Sequence, residues 1–182
     1  MRGAAPSFAI TTAIHVKTFP VPPVATIFGF NWELSAADAL AGFTRYQTFA
    51  QTNLPKELSL QCTLEKGSSS GRLTFRFGGG YYGPAANLDA IIAPFMSQMA
   101  PPGSGGKNTG NYLNSVTAVA GGMSLNTASG PDTHDTFYVK SLLTPAPSPM
   151  STAAMTNFIF YLAFDGFASA TVTNCPCCFD HC

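Results

Sequence analysis

Residues Glu57–Phe77 read ELSLQCTLE, then KGSSSG, then RLTFRF: two alternating runs on either side of a Gly/Ser turn. In the first run Leu58, Leu60, Cys62 and Leu64 share one side, and in the second Leu73, Phe75 and Phe77 do. The other side carries Ser59, Gln61, Thr63, Glu65, Arg72, Thr74 and Arg76. Successive side chains of a strand point to opposite faces, so this period of two sends one set into a core and the other onto a polar surface. In an antiparallel pair the polar residues become cross-strand neighbours. Such a face either meets water or lines a site.

Outward from the hairpin, Phe8 to Thr18 alternates and predicts a strand, ended by Phe19-Pro20-Val21-Pro22-Pro23. A second strand is predicted from Ala25 to Trp32, with Thr26, Phe28, Phe30 and Trp32 on one face. Ser35 followed by Asp38 reads as an N-cap and imperfect capping box. The helix it opens carries Ala39, Leu40, Phe43, Tyr46 and Ala50 at helical spacing, with Pro55 beyond its end. After the hairpin, Gly78 to Pro84 (GGGYYGP) has neither G-K-[ST] nor a helix-opening G-x-G-x-x-G, so it reads as the chain leaving the sheet rather than a phosphate loop. A helix follows with Leu88, Ile91, Ile92, Phe95, Met96 and Met99 as its apolar stripe and Pro94 as an expected kink. Pro101–Asn111 reads as loop, Tyr112–Ala120 leans to strand over helix, Met123–Asp132 as loop, and Thr136–Ser141 as a short strand. Ser151 opens a last helix with Met155, Phe158, Ile159 and Leu162 inward. The pattern predicts an α+β fold, an antiparallel sheet with helices packed on one face.

The composition bounds what such a domain does. At 182 residues the chain is about one domain. It is 46% hydrophobic and 10% charged, against about 25% charged in a typical soluble chain. So little charge suits a chain that buries much surface or is covered by a partner. Zero net charge gives no reason to expect nucleic acid or an anionic membrane as partner. No apolar run approaches the roughly 20 residues that span a bilayer. No compact apolar signal-peptide region is seen near Met1, and localisation stays unassigned.

Cys62 falls on the apolar face of the hairpin and reads as a small buried thiol. Cys175, Cys177, Cys178 and Cys182 crowd the last eight residues with His181. A zinc site needs a second separated ligand pair and a loop long enough to fold around the ion, and this spacing has neither, so no metal is assigned.

One further set of residues points to a family. Arg2-Gly3-Ala4-Ala5-Pro6-Ser7-Phe8-Ala9-Ile10-Thr11, followed by His15-Val16-Lys17-Thr18-Phe19-Pro20, resembles the stretch joining the FAD-binding domain to the substrate domain in FAD-linked oxidases of the berberine-bridge-enzyme type. It is most similar to the fungal oligosaccharide oxidases among them. Pro55-Lys56-Glu57-Leu58-Ser59-Leu60, Gly80-Tyr81-Tyr82-Gly83 and His134 to Leu142 follow in the family's order, so the resemblance runs from residue 2 to about 165. Ala9 departs from the usual glycine, and Ala5-Pro6 from a more flexible pair of small residues.

The resemblance implies oxidation of the anomeric C1 of an oligosaccharide to a lactone, with hydrogen peroxide as second product and FAD as cofactor. It implies that residues 1–10 end a FAD-binding domain, that 11–173 form a substrate domain incomplete at its C-terminus, and that 174–182 are a Cys-rich tail foreign to the family. Gly3, Ser7, Phe8, Ala9 and Ile10 match its flavin-contacting segment. Gln61, Thr63, Thr74, Arg76 and Tyr81 are the candidate substrate contacts of the roof over the flavin, and no catalytic residue is assigned. Its partners are then the sugar, or another small molecule, and the FAD-binding domain. Since most of that domain and the family's catalytic tyrosine have no counterpart here, the chain alone is expected to be inactive and not to retain FAD. The competing reading is a catalytically inactive remnant, at most a sugar-binding or structural domain.

Overall fold

The computed structural model describes residues 12–13, 15–18, 20–122 and 148–165, and the backbone of 170–174. The hairpin of the opening stretch forms as its alternation predicts: β2 (Leu58–Lys66) and β3 (Arg72–Tyr81) pair antiparallel, with Cys62 opposite Phe77 and Thr63 opposite Arg76. Gly67 makes the turn possible, because a Cβ there would lie 2.7 Å from the Arg72 backbone and run into the Glu33 carboxylate. Strand β1 (Ala25–Ser35) pairs antiparallel with the other side of β3. Strand β4 (Ser104–Gly110) pairs with β1, and β5 (Ala170–Asn174) with β2. Among the described residues the strand order is therefore β4-β1-β3-β2-β5, antiparallel throughout.

Cross-strand partners share a face, so the register extends the two faces of the hairpin across the sheet. One face carries Phe28, Trp32, Leu58, Leu60, Cys62, Leu64, Leu73, Phe75, Phe77 and Tyr81, all buried. Helices α1 (Ala36–Ala50), α2 (Leu88–Met96) and α4 (Thr152–Phe164) pack on it and supply Phe43, Tyr46, Phe49, Phe95, Met155 and Ile159 to the same core. The α+β arrangement expected from the sequence is thus present. Phe77 is the hub, its ring centroid 4.3 Å from that of Phe95 and 5.7 Å from that of Phe28.

The caps come from the sequence as read. The Ser35 hydroxyl accepts from the Asp38 amide at 3.1 Å and donates to the Asp38 carboxylate at 2.6 Å. Ser151 caps α4 in the same way through the Ala154 amide. Such a cap contributes about 1 kcal/mol.

Four sequence readings change. Tyr112–Val119 is a helix, α3, whose Asn111 side chain accepts from the Asn114 amide. Local capping outweighs the β-branched content that suggested a strand. The glycine- and asparagine-rich stretch read as loop contains edge strand β4, held by backbone bonds to β1 that composition does not reveal. Gly78–Gly80 lie inside β3, paired on both sides, rather than at an exit from the sheet. A Cβ at Gly78 would stand 2.7 Å from the Phe28 carbonyl oxygen, which explains a glycine there. Of the strand predicted over 8–18, the described residues 12–13 and 15–18 adopt no regular element. The remainder of that stretch, the strand at 136–141 and the cysteines of the tail lie outside the described residues.

Candidate functional site

The second face of the sheet is where the polar residues of the sequence assemble. In register, Ser104, Asn31, Arg76 and Thr63 form one row across β4, β1, β3 and β2. The next row is Gly106, Gly29, Gly78 and Gln61, and the one beyond it Asn108, Ile27, Gly80 and Ser59. On the other side of the first row stand Glu33, Thr74 and Glu65. Three of the four positions of the middle row lack a side chain, so a trough runs over three strands, about 10 Å by ordinary strand spacing. A Cβ at Gly29 or Gly106 would meet no atom within 4 Å.

Gln61 and Thr63 are joined: the Gln61 amide Nε2 donates to Thr63 Oγ1 at 3.1 Å. Gln61 is exposed, whereas Thr63 is buried at 8% exposure in the row that Arg76 occupies. Asn31 Nδ2 donates to Ser104 Oγ at 3.3 Å. The row therefore presents amides and hydroxyls in sequence, a donor and acceptor set suited to a neutral polyhydroxylated ligand.

The charges of this face are paired within it. Arg76 Nη2 lies 3.2 Å from Glu65 Oε2. Glu33 accepts from the Ser68 amide at 2.9 Å, from the Ser68 hydroxyl at 3.0 Å and from the Thr74 hydroxyl at 3.2 Å, with Arg72 Nε 3.9 Å away. The Ser68 backbone N–H is the main reason the Glu33 carboxyl titrates below its ordinary value, with the two hydroxyls and Arg72 adding to it against the opposing effect of burial.

A folded-state pKa below the unfolded one adds stability above the unfolded pKa, and that stability is lost as pH falls through the folded value. Melting temperatures should therefore drop on acidification through the carboxylate range, and Glu33→Gln should flatten that drop. An unchanged acid limb in the Glu33→Gln protein would show that the carboxylate does not tie the hairpin turn to β1.

One end of the face is walled. Helix α3 lies over it, Ser115 and Ala118 enclosing a small cavity with Ala25, Ile27 and Asn108. Tyr82 folds back beside it, with its hydroxyl 3.2 Å from where a Gly80 Cβ would stand. Its ring meets that of Tyr112, the first residue of α3, at a centroid distance of 6.2 Å. Tyr81, the tyrosine singled out from the sequence, turns to the helix face and is 4% exposed, so it does not reach the trough. The strand alternation that correctly sorted the hairpin assigns this too: Tyr81 shares its face with Phe77, and Tyr82 follows on the other. The sequence offers both tyrosines as rings that could stack on a sugar, but with the strand ending at the glycines it does not sort which of the two faces the site.

Gln61, Thr63, Thr74 and Arg76 all stand on the open face, while Gly3, Ser7, Phe8, Ala9 and Ile10 lie outside the described residues. A cleft of about 200 Å³ between α1 and α2 lies on the opposite side of the sheet. The hydroxyls of Thr44, Thr48 and Thr52 that line it already donate to helix carbonyls, which leaves it little of the character of a polar site. Among the described residues no three His, Cys, Asp or Glu side chains come together as metal ligands, and no helix is long and apolar enough to cross a membrane.

No family model matches the chain. Over 166 residues, 88% of its length, it is 25% identical to a glucooligosaccharide oxidase of Sarocladium strictum. Over 167 residues, 91% of its length, it is 31% identical to the FAD-linked oxidoreductase dpmaF of Metarhizium anisopliae. Its fold superposes on a solved chitooligosaccharide oxidase with a TM-score of 0.71, covering 85% of this chain and 32% of that one at 24% identity. The chain spans about a third of the length of the curated relatives it matches.

Proposed function

Since the chain belongs to the FAD-linked oxidases of the berberine-bridge-enzyme type, we propose that its open sheet face is the substrate-binding roof of an FAD-dependent oligosaccharide oxidase. The observation that carries this reading is the row Ser104–Asn31–Arg76–Thr63 with Gln61 beside it: amides and hydroxyls on a rigid sheet whose charges are paired internally. Among the described residues a ligand there meets hydrogen-bonding groups and charges that are paired with one another, as a neutral sugar requires. In this reading residues 1–10 close a FAD-binding domain, 11–173 form the substrate domain, and 174–182 belong to neither. The reaction is oxidation at the anomeric carbon, in which FAD supplies the redox chemistry and this chain binds and orients the sugar.

The described residues do not fit a role in holding FAD themselves. Arg72 and Arg76 are committed to Glu33 and Glu65, and the start of α3 at the walled end is already capped by the Asn111 side chain. What the face fits is the polar lid above a reacting ring. The test is a titration of the isotope-labelled chain with cellotriose and with chitotriose, followed by amide shifts. Shifts centred on Asn31, Gln61, Thr63 and Arg76 are expected, with a dissociation constant on the order of millimolar for half a site. No shifts for either sugar, or shifts centred on the α1–α2 cleft, would refute the assignment.

A further inference from the structure

Tyr82 stands where the open face meets its wall. Its ring lies between Gly80 and the ring of Tyr112, at the walled end of the open face, one row from the trough. Its hydroxyl lies on the open-face side yet makes no hydrogen bond to any described residue. Tyr82 is half-buried, so this hydroxyl is reachable by solvent or by a ligand on the open face. Burial, and next the neighbouring Tyr112, push its titration above the ordinary tyrosine value. Tyr112 has its own ring partly exposed at the start of α3 and enlarges the aromatic surface beside Tyr82.

The geometry points to a contact residue: we propose that Tyr82 meets the bound ligand directly, its hydroxyl donating to a ring or hydroxyl oxygen while its ring and that of Tyr112 form the apolar wall. This rests on the reading of the open face as a sugar-binding roof and adds a residue and a role to it. Sugar rings offer both complements at once, an apolar C–H surface for the aromatic wall and oxygens around the rim for the phenol. Neighbouring Tyr81, buried on the opposite face, contributes to neither.

The test separates the hydroxyl from the ring. Tyr82→Phe keeps the ring against Tyr112 and removes only the hydroxyl, so thermal stability should stay unchanged. Affinity for whichever trisaccharide the parent chain binds should fall roughly three- to tenfold, the range of one hydrogen bond. Tyr82→Leu, which loses the wall as well, should bind more weakly still. Equal affinity of Tyr82→Phe and the parent overturns the contact while leaving the roof intact, provided that the sugar still shifts Gln61 and Thr63. A clear fall in the melting temperature of Tyr82→Phe overturns it too, since the hydroxyl would then have an internal partner. Absence of any sugar-induced shift in the parent removes the roof reading, and the Tyr82 contact with it.

Discussion

Phe77→Ala is expected to cost about 3–5 kcal/mol of folding free energy, a large share of the 5–15 kcal/mol that holds a typical domain together. The ring is fully buried and faces Phe95, Phe28, Tyr46 and Phe49 at centroid distances from 4.3 to 6.3 Å. These neighbours come from β1, α1 and α2, so the cavity would open where three elements meet β3 and where none can collapse alone. Arg76, the residue before it on β3, supplies the contrast. It points to the open face, and its pair with Glu65 is half-exposed, so Arg76→Ala should change stability by less than about 1 kcal/mol. Urea unfolding of both variants measures the difference. A loss under about 1 kcal/mol for Phe77→Ala would mean that the core is not organised around that ring.

Gly29→Val should have the converse effect, abolishing sugar binding while sparing the fold. Glycine within a strand costs roughly 0.5–1 kcal/mol relative to alanine and is often found where a ligand or another backbone approaches closely. At Gly78 the fold itself explains the glycine, because the Phe28 carbonyl occupies the space. At Gly29 nothing of the described protein does, and the backbone there is not in the left-handed region. A valine side chain would rise from the middle of the trough, flanked by Gly106 and Gly78. Trisaccharide affinity is expected to drop by at least about tenfold, about 1.4 kcal/mol or more, with a melting temperature equal to or above that of the parent. Undiminished binding would exclude the trough from the ligand's path.

How much of this was legible beforehand differs from element to element. The hairpin, the Ser35 and Ser151 caps and the stripes of α1 and α4 are local, and period and capping chemistry state them outright. Gln61, Thr63, Thr74 and Arg76 were readable as one face because alternation is a local property of each strand. The register that sets Arg76 beside Asn31, and Gly29 between Gly106 and Gly78, is a long-range property that no window of sequence contains. Edge strand β4 escaped for the same reason, since SGGKNTG has the composition of a loop and becomes a strand only by pairing with β1. Tyr112 was misassigned because its segment satisfies either period, and Asn111 as a cap decides between them only once the Asn114 amide is in place. The choice of Tyr81 over Tyr82 follows from that of the glycines: with β3 taken to end at Phe77, alternation could not be carried far enough to sort the two rings.

The internal pairing of Glu33 with Arg72 and of Glu65 with Arg76 also determines how the face behaves at a distance. Closely spaced opposite charges cancel within a few ångströms, well inside the roughly 8–10 Å screening length of physiological salt. Among the described residues such pairs cast no long-range field, so they leave a ligand to reach the face by unaided diffusion. Ionic strength then has little hold on either the rate or the strength of capture, and an acidic or basic sugar gains nothing over a neutral one.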